Sequence, residues 1–235
     1  MSPQQMQFGI TAEHQCSYLP EQQERLVFTL PDQPLDADLY RQLMDYNFRR
    51  TGDQLYRPYC LHCQACQASR IVVNDFKLSS SQRKLLKTAT RAGWHWQYGA
   101  PKALTEYYPL YQRYISEKHA DGVMFPPSEE QLESLFSCSW LAPGVIEQYI
   151  GTELVGVILL DPMVDGYSAV YSFYQPDCQF ALGTLAILAT LALSKQQQLP
   201  FLHLGYFVAD CSKMAYKAKF RPQQRLIEGK WLSFD

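Results

Sequence analysis

The chain has 235 residues, of which 47% are hydrophobic and 19% charged, and its net charge is −2. That apolar content suits one large packed domain or two small ones and excludes a disordered chain. The opening MSPQQMQFGITAEH has no basic head and no apolar run, and the longest apolar stretch, Leu182 to Leu193, is shorter than the ~18 residues of a bilayer span, so a soluble cytoplasmic protein is expected.

In chain order, the sequence predicts an extended run at Leu26 to Leu30 and a turn at Pro31 to Pro34. A helix should then run from an Asp36 N-cap to Phe48, because Leu39, Leu43 and Tyr46 keep helical spacing, with Thr51-Gly52 as its stop. A cysteine-rich loop leads to a strand at Ile71 to Val73 and to a basic helix from Ser80 to Arg91, ended by Gly93. Near residue 100 a boundary is expected between an N-terminal domain, 1–100, and a second domain, 101–235. Beyond it come a helix from Ala103 to His119, the loop DGVMFPPS, and a helix opened by a Ser128–Gln131 capping box. Three strands follow, Val145 to Ile150, Leu154 to Asp161 and Tyr167 to Tyr174, joined by Gly-containing turns. The chain closes with an apolar helix from Leu182 to Gln197, a strand FLHLGYFV, and a helix from Ser212 to Phe220 stopped by Pro222.

The expected class is α+β: a cysteine-bearing N-terminal α/β region, then a mainly antiparallel sheet. Meander, helix, strand, helix is the order of the GNAT acyltransferase core, which the second half resembles. GNAT enzymes that use coenzyme A hold its pyrophosphate on backbone amides before the long helix. Here that stretch is PDCQFALGTLA, with only Gly183 and no basic residue, so a different acyl donor is implied.

The small net charge hides strong segregation, with −5 over residues 1–40, +8 over 41–102, −8 over 103–202 and +3 over 203–235. A +8 segment on a mildly acidic protein suits a polyanion, although an ordinary solvated basic face has the same composition. Seven cysteines, an odd number, with no export signal argue against a disulfide framework. Cys60, Cys63 and Cys66 make a CxxCxxC, and Cys16 or His62 offers a fourth ligand. Zinc, an iron–sulfur cluster and a metal-free cysteine turn all remain open from spacing alone. Arg49, Arg50, Arg57 and Arg70 surround these cysteines, and arginine grips carboxylate or phosphate bidentately.

Several blocks together resemble a known family: CSYLP at 16–20, FRRTG at 48–52, YRPYCLHCQACQASRI at 56–71, SQRK at 81–84, YQRYISEKHADGVM at 111–124, SAVYSFYQP at 168–176, LGT at 182–184, and LGYFV followed by KMAYKAKFRP at 213–222. They run in order along almost the whole chain, and the family is the aminoacyl-tRNA–protein transferases. The resemblance is to its short bacterial branch, which moves leucine onto proteins beginning with aspartate or glutamate and so marks them for degradation. Two departures stand out. The family's usual Ser-Arg-Ser-Gln-Arg-Arg is SSSQRK here, so Ser80 and Lys84 replace arginines, and its glycine before FRR is Asn47, which suits a helix C-terminus.

The resemblance implies leucyl-tRNA as donor and an acidic N-terminus as acceptor, with no cofactor needed for chemistry on an already activated ester. On this reading Arg49, Arg50 and Arg70 receive the acceptor carboxylate, while Asp161 and Tyr171 are the catalytic candidates, for the α-ammonium and the oxyanion or leaving hydroxyl. Arg57, Arg83, Lys84, Tyr206, Lys213 and Lys217 are assigned to tRNA or donor, Lys213 and Lys217 sharing one helix face. Cys16, Cys60, Cys63 and Cys66 are the metal candidates, and His119 and Asp121 fall in a loop near the site. Three rivals stand beside this reading: an arginine donor, an acetyltransferase using coenzyme A, and a metal-bearing nucleic-acid-binding module without catalysis.

Overall fold

The computed structural model describes residues 6–31 and 34–235, and the turn expected at Pro31 to Pro34 falls partly outside them. The first strands are β1 Phe8–Ile10, β2 His14–Gln15, β3 Gln23–Glu24 and β4 Leu26–Thr29, followed by helix α1 Ala37–Met44. Then come β5 Arg49–Thr51, β6 Gln54–Pro58, β7 Gln67–Val72, α2 Ser80–Arg91, β8 Trp94–Gly99, α3 Leu104–Lys118 and α4 Glu129–Phe136. The second half holds β9 Gly144–Ile150, β10 Glu153–Met163, β11 Gly166–Tyr174, α5 Leu182–Gln196, β12 Phe201–Phe207, the short α6 Ser212–Ala215 with a 3-10 turn Tyr216–Lys219, β13 Gln223–Ile227 and β14 Lys230–Phe234.

Eight strands form one sheet in the order β14-β13-β7-β12-β11-β10-β9-β8. Every neighbouring pair in it is antiparallel except β11 and β12, which the α5 crossover makes parallel. This is the expected α+β class, with the meander–helix–strand order in place. Strands β7 and β8, from the first hundred residues, belong to this sheet, β7 in its interior and β8 at its edge, so residue 100 is no break in it. What stands apart is the four-stranded sheet β1-β4-β6-β5.

Strand alternation sorts the core into layers. On one face Ile158 and Leu160 of β10 pack with α5, whose Leu185, Ile187, Leu188 and Leu191 are buried. A helix buried almost all round needs no polar face, which explains its unbroken apolar sequence. On the other face Val157 and Leu159 meet Tyr107, Tyr111 and Ile115 of α3 and Leu132 and Phe136 of α4. Further along that face Met163 meets Tyr40 and Met44 of α1, with Val27 and Leu55 of the small sheet.

Local signals explain most boundaries. Asp36 caps α1 through Leu39 N–H at 2.7 Å, and Ser79–Gln82 and Ser128–Gln131 form capping boxes on α2 and α4. Helix α1 stops at Met44, four residues before the expected end, because Asn47 takes φ 70° and Phe48 onward turns into β5. Thr51-Gly52 instead turns the β5–β6 hairpin. The expected Ser212 to Phe220 helix also breaks early, into one short turn and a 3-10 turn.

Candidate functional site

The fold opens where β11 and β12 part. They pair only at Gly166/Phe201, Tyr167/Leu202 and Ser168/His203. Just past these rungs both strands bulge: β11 inserts Val170 against β10, and β12 inserts Leu204 against β7. A bulge bends its strand and increases its twist, so two at one level drive the strands apart. Gly205 takes φ +74° there, a conformation glycine adopts without strain. The backbone edges of Ala169–Tyr174 and Leu204–Phe207 therefore face each other across a cleft rather than pairing.

Side chains from four separate stretches collect around this cleft. Tyr171 stands on β11 beyond the bulge, half-buried, and burial followed by the nearby Tyr111 raises its phenol, so it stays protonated and can donate. Tyr174 packs its ring 4.8 Å from Tyr114, which lies 3.1 Å from His119 Nε2. Lys213 holds both carboxylate oxygens of Asp121 at 3.0 Å, closing the 119–122 loop against α6. Burial, then Lys213, lowers the His119 pKa and keeps the ring neutral. Tyr216, pushed up to about 12 by burial and then by Tyr174, completes the wall. Gly183 is accounted for here, since a Cβ would stand 3.2 Å from the Tyr174 ring. The sequence reading placed Tyr171, His119 and Asp121 near the site but missed Tyr114, Tyr174 and Tyr216. Their only signal was tyrosine recurring in blocks far apart in the chain.

Two buried cations, Arg49 and Lys217, lie close to one another near Tyr206 of β12. Arg49 is 5% exposed and Lys217 4%. One Arg49 nitrogen donates to the Phe48 carbonyl, while Nε and Nη2 are buried without a partner, and the guanidinium lies 5.4 Å from the Tyr206 ring centroid. Lys217 Nζ has Met214 Sδ at 3.3 Å, a weak acceptor. Burial pushes the Lys217 pKa down to about 8, with Cys211 opposing and Arg49 adding to the fall. Neither makes an ion pair among the described residues. Beside them His203 is fully buried with both ring nitrogens unpartnered, and burial, then Arg49, drives its pKa well below the usual histidine range. A buried cation with idle donors is costly unless an anion satisfies it.

Other expected residues have different employment. Arg50 does not face the cleft: it grips Asp161 through two 2.8 Å hydrogen bonds, both side chains fully buried. Asp161 thereby loses the free oxygens that a role on the α-ammonium requires, and Arg50 its free fork. Arg70 is sandwiched between Phe201 at 3.8 Å and Trp231 at 4.1 Å and bonds Gln224, which makes it a packing cation rather than an acceptor clamp. Tyr206 donates to the Asn47 carbonyl at 2.8 Å, so its hydroxyl is spent on the fold. Lys213 and Lys217 do not share a face, because the broken helix turns one outward and the other inward. Arg57 lies 5.4 Å from the Phe48 ring, and Arg83 and Lys84 are exposed on α2.

Cys16, Cys60, Cys63 and Cys66 line one cavity of about 440 Å³, together with Tyr206 and Arg57. Burial and then the other three thiols push the Cys66 thiol up to about 12. Among the described residues no three Cys, His, Asp or Glu side chains come close enough to share a metal ion. As arranged, then, the thiols gather but do not fit a preformed zinc or iron–sulfur site. Asn47 ties this loop to α1, its side chain bonding Cys66 O and Ala68 N at 3.1 Å each, contacts a glycine would lack. Among the described residues no helix is long and apolar enough to cross a membrane.

Comparison with known proteins matches the described family model for the arginine-tRNA-protein transferase N terminus to residues 14–84 and that for its C terminus to residues 106–227. An aspartate/glutamate leucyltransferase of Vibrio cholerae serotype O1 is 40% identical over 228 residues, 97% of each chain. One of Pseudomonas savastanoi pv. phaseolicola is 41% identical over 229 residues, again 97% of each. The structure of L-PGS from Bacillus licheniformis overlays 74% of this chain and 52% of its own at a TM-score of 0.48 and 11% identity, too distant to carry an argument. Both halves of the molecule and its full length thus agree: the chain belongs to the arginine-tRNA-protein transferase family, in the branch of the aspartate/glutamate leucyltransferases.

Proposed function

We propose that this chain transfers leucine from leucyl-tRNA to the N-terminal α-amine of proteins beginning with Asp or Glu, in the cytoplasm, marking them for degradation that reads the N-terminal residue. The observation that carries this reading is Arg49, a buried guanidinium with two idle nitrogens beside buried Lys217, where an aspartate or glutamate carboxylate supplies the missing negative charge. The names of the relatives favour leucine over arginine as the donated residue.

The chemistry is light. The aminoacyl ester is already activated, and an α-amine with a pKa of ~8 is roughly one-tenth neutral at pH 7. With the carboxylate anchored at Arg49, the amine nitrogen attacks the ester carbonyl carbon directly. A tetrahedral oxyanion forms, the bond to the ribose oxygen breaks, and the proton released by the amine ends on that oxygen. Positioning amine and ester at ~3–3.5 Å supplies most of the acceleration. Tyr171, kept protonated by burial, is the donor to the oxyanion or to the departing oxygen. The atoms balance without a cofactor or a covalent enzyme intermediate.

The test offers labelled leucyl-tRNA or arginyl-tRNA with peptides beginning Asp, Glu, Lys or Ala. Label should pass from leucyl-tRNA to the Asp and Glu peptides alone. Absence of label on either acidic peptide with both charged tRNAs would overturn the reading, and label from arginyl-tRNA only would change the donor.

A further inference from the structure

We propose that the exposed face of α2, continued by Lys219, is a docking rail for the phosphate backbone of the tRNA, outside the pocket where the aminoacyl group reacts. The proposal rests on the reading of the chain as a user of charged tRNA. Helix α2 exposes Arg83, Lys84, Lys87 and Arg91 and contains no acidic residue, although the whole chain carries −2. None of the four makes an ion pair among the described residues. Arg83, Lys87 and Arg91 follow one another at i, i+4 spacing, an arrangement whose self-repulsion costs helix stability. Arg113 on α3, by contrast, pairs with both Glu117 and Asp177. A repelling row kept free of partners suits an outside polyanion.

Shape and place agree with that partner. From Arg83 to Arg91 the helix gives a straight row ~12 Å long, with cations about one turn apart along it. Arg83 is held in position, donating to Leu78 O at 2.7 Å and to Ser80 Oγ at 3.3 Å. The start of α2 is fastened to the cleft segment by Gln82 Nε2, which donates to Lys219 O at 3.2 Å. The 3-10 turn Tyr216–Lys219 therefore sends Lys217 into the pocket and Lys219 out beside α2, so positive charge continues from the reaction pocket to the rail. An anionic membrane fits less well. The apolar side chains of α2, Leu85 and Leu86, pack into the core and leave no apolar face to enter a lipid interface.

The test measures binding of deacylated tRNA by gel shift across a salt series, which needs no catalysis and so is separable from failure of the proposed reaction. Arg83→Gln/Lys84→Gln/Lys87→Gln/Arg91→Gln keeps good helix formers, and circular dichroism checks that the fold survives. Its affinity should drop at least ~30-fold near 50 mM salt, and the slope of log affinity against log salt should become shallower by roughly 3. Lys87→Gln/Arg91→Gln should lose several-fold more affinity than the control Lys118→Gln/Lys230→Gln, which removes two exposed cations elsewhere. In transfer assays the quadruple variant should raise the KM for leucyl-tRNA and keep kcat. Unchanged tRNA binding, equal losses in the two double variants, or binding to phosphatidylglycerol vesicles with none to tRNA would each overturn the assignment.

Discussion

Arg49 and Arg50 are neighbours on one short strand, both buried, and they end in opposite circumstances. Arg50 meets Asp161 in a two-pronged, fully buried ion pair. Arg49 meets aromatic rings, a neutral histidine and a second cation, and keeps two nitrogens idle. A charge withdrawn from water must be compensated, and the first pocket does so within the chain. The second has no counter-ion among the described residues. Burial of a charge therefore does not by itself mark a functional residue, and the counter-ion is what separates these two.

The widest separation between the two pockets should come from stability. Asp161→Asn strands a buried guanidinium and should cost ~3–5 kcal/mol in urea unfolding, whereas Arg49→Gln should cost nothing or add stability. If both variants lose the same stability, the comparison fails. A pH series sharpens it. Lys217 has a folded-state pKa of about 8, below the ordinary lysine value of 10.5. Between those values the unfolded chain holds a proton that the folded chain has shed, so this side chain makes stability rise with pH across that window, by ~3 kcal/mol at most. The stability of wild type relative to Lys217→Met should rise by that amount from pH 8 to 10.5, and parallel curves would remove Lys217 from the pocket.

Activity gives the next contrast. Arg49→Gln should lower kcat/KM for Asp- and Glu-peptides on the order of 100-fold, the worth of a charge-assisted hydrogen bond, without altering the KM for leucyl-tRNA. Normal acceptor kinetics would relocate the carboxylate. The smallest effect is expected from Arg70→Ala, which loses its ring stacks and should cost ~1–2 kcal/mol of stability while transfer kinetics stay near wild type. A large kinetic defect in a stable Arg70→Ala protein would return Arg70 to the site.

These differences also explain what the sequence could and could not tell. Long elements with local signals were legible: the capping residues and periodicity of α2 and the apolar length of α5 nearly fix their ends, and the Ser128 capping box fixes the start of α4. Short or polar strands such as β5, β6, β8 and β13 were not, because their pairing depends on partners distant in the chain. The family was legible from its ordered blocks. The division of labour within FRR was not, because Arg49 and Arg50 have identical chemistry and only the position of Asp161, 111 residues from Arg50, distinguishes them. Lys217 was found but read as a surface contact, since one turn of ideal helix was assumed where the chain changes to a 3-10 turn.

The placement of β7 between β12 and β13 has a practical corollary for anyone dividing this polypeptide. A cut between Gly99 and Pro101 would leave a leading fragment with a bare strand on both sides and a trailing fragment with a slot in its middle. Each piece alone would expose unsatisfied backbone and aggregate. Produced together, they should zip into one working enzyme, so a split-protein reporter built at this seam would assemble spontaneously.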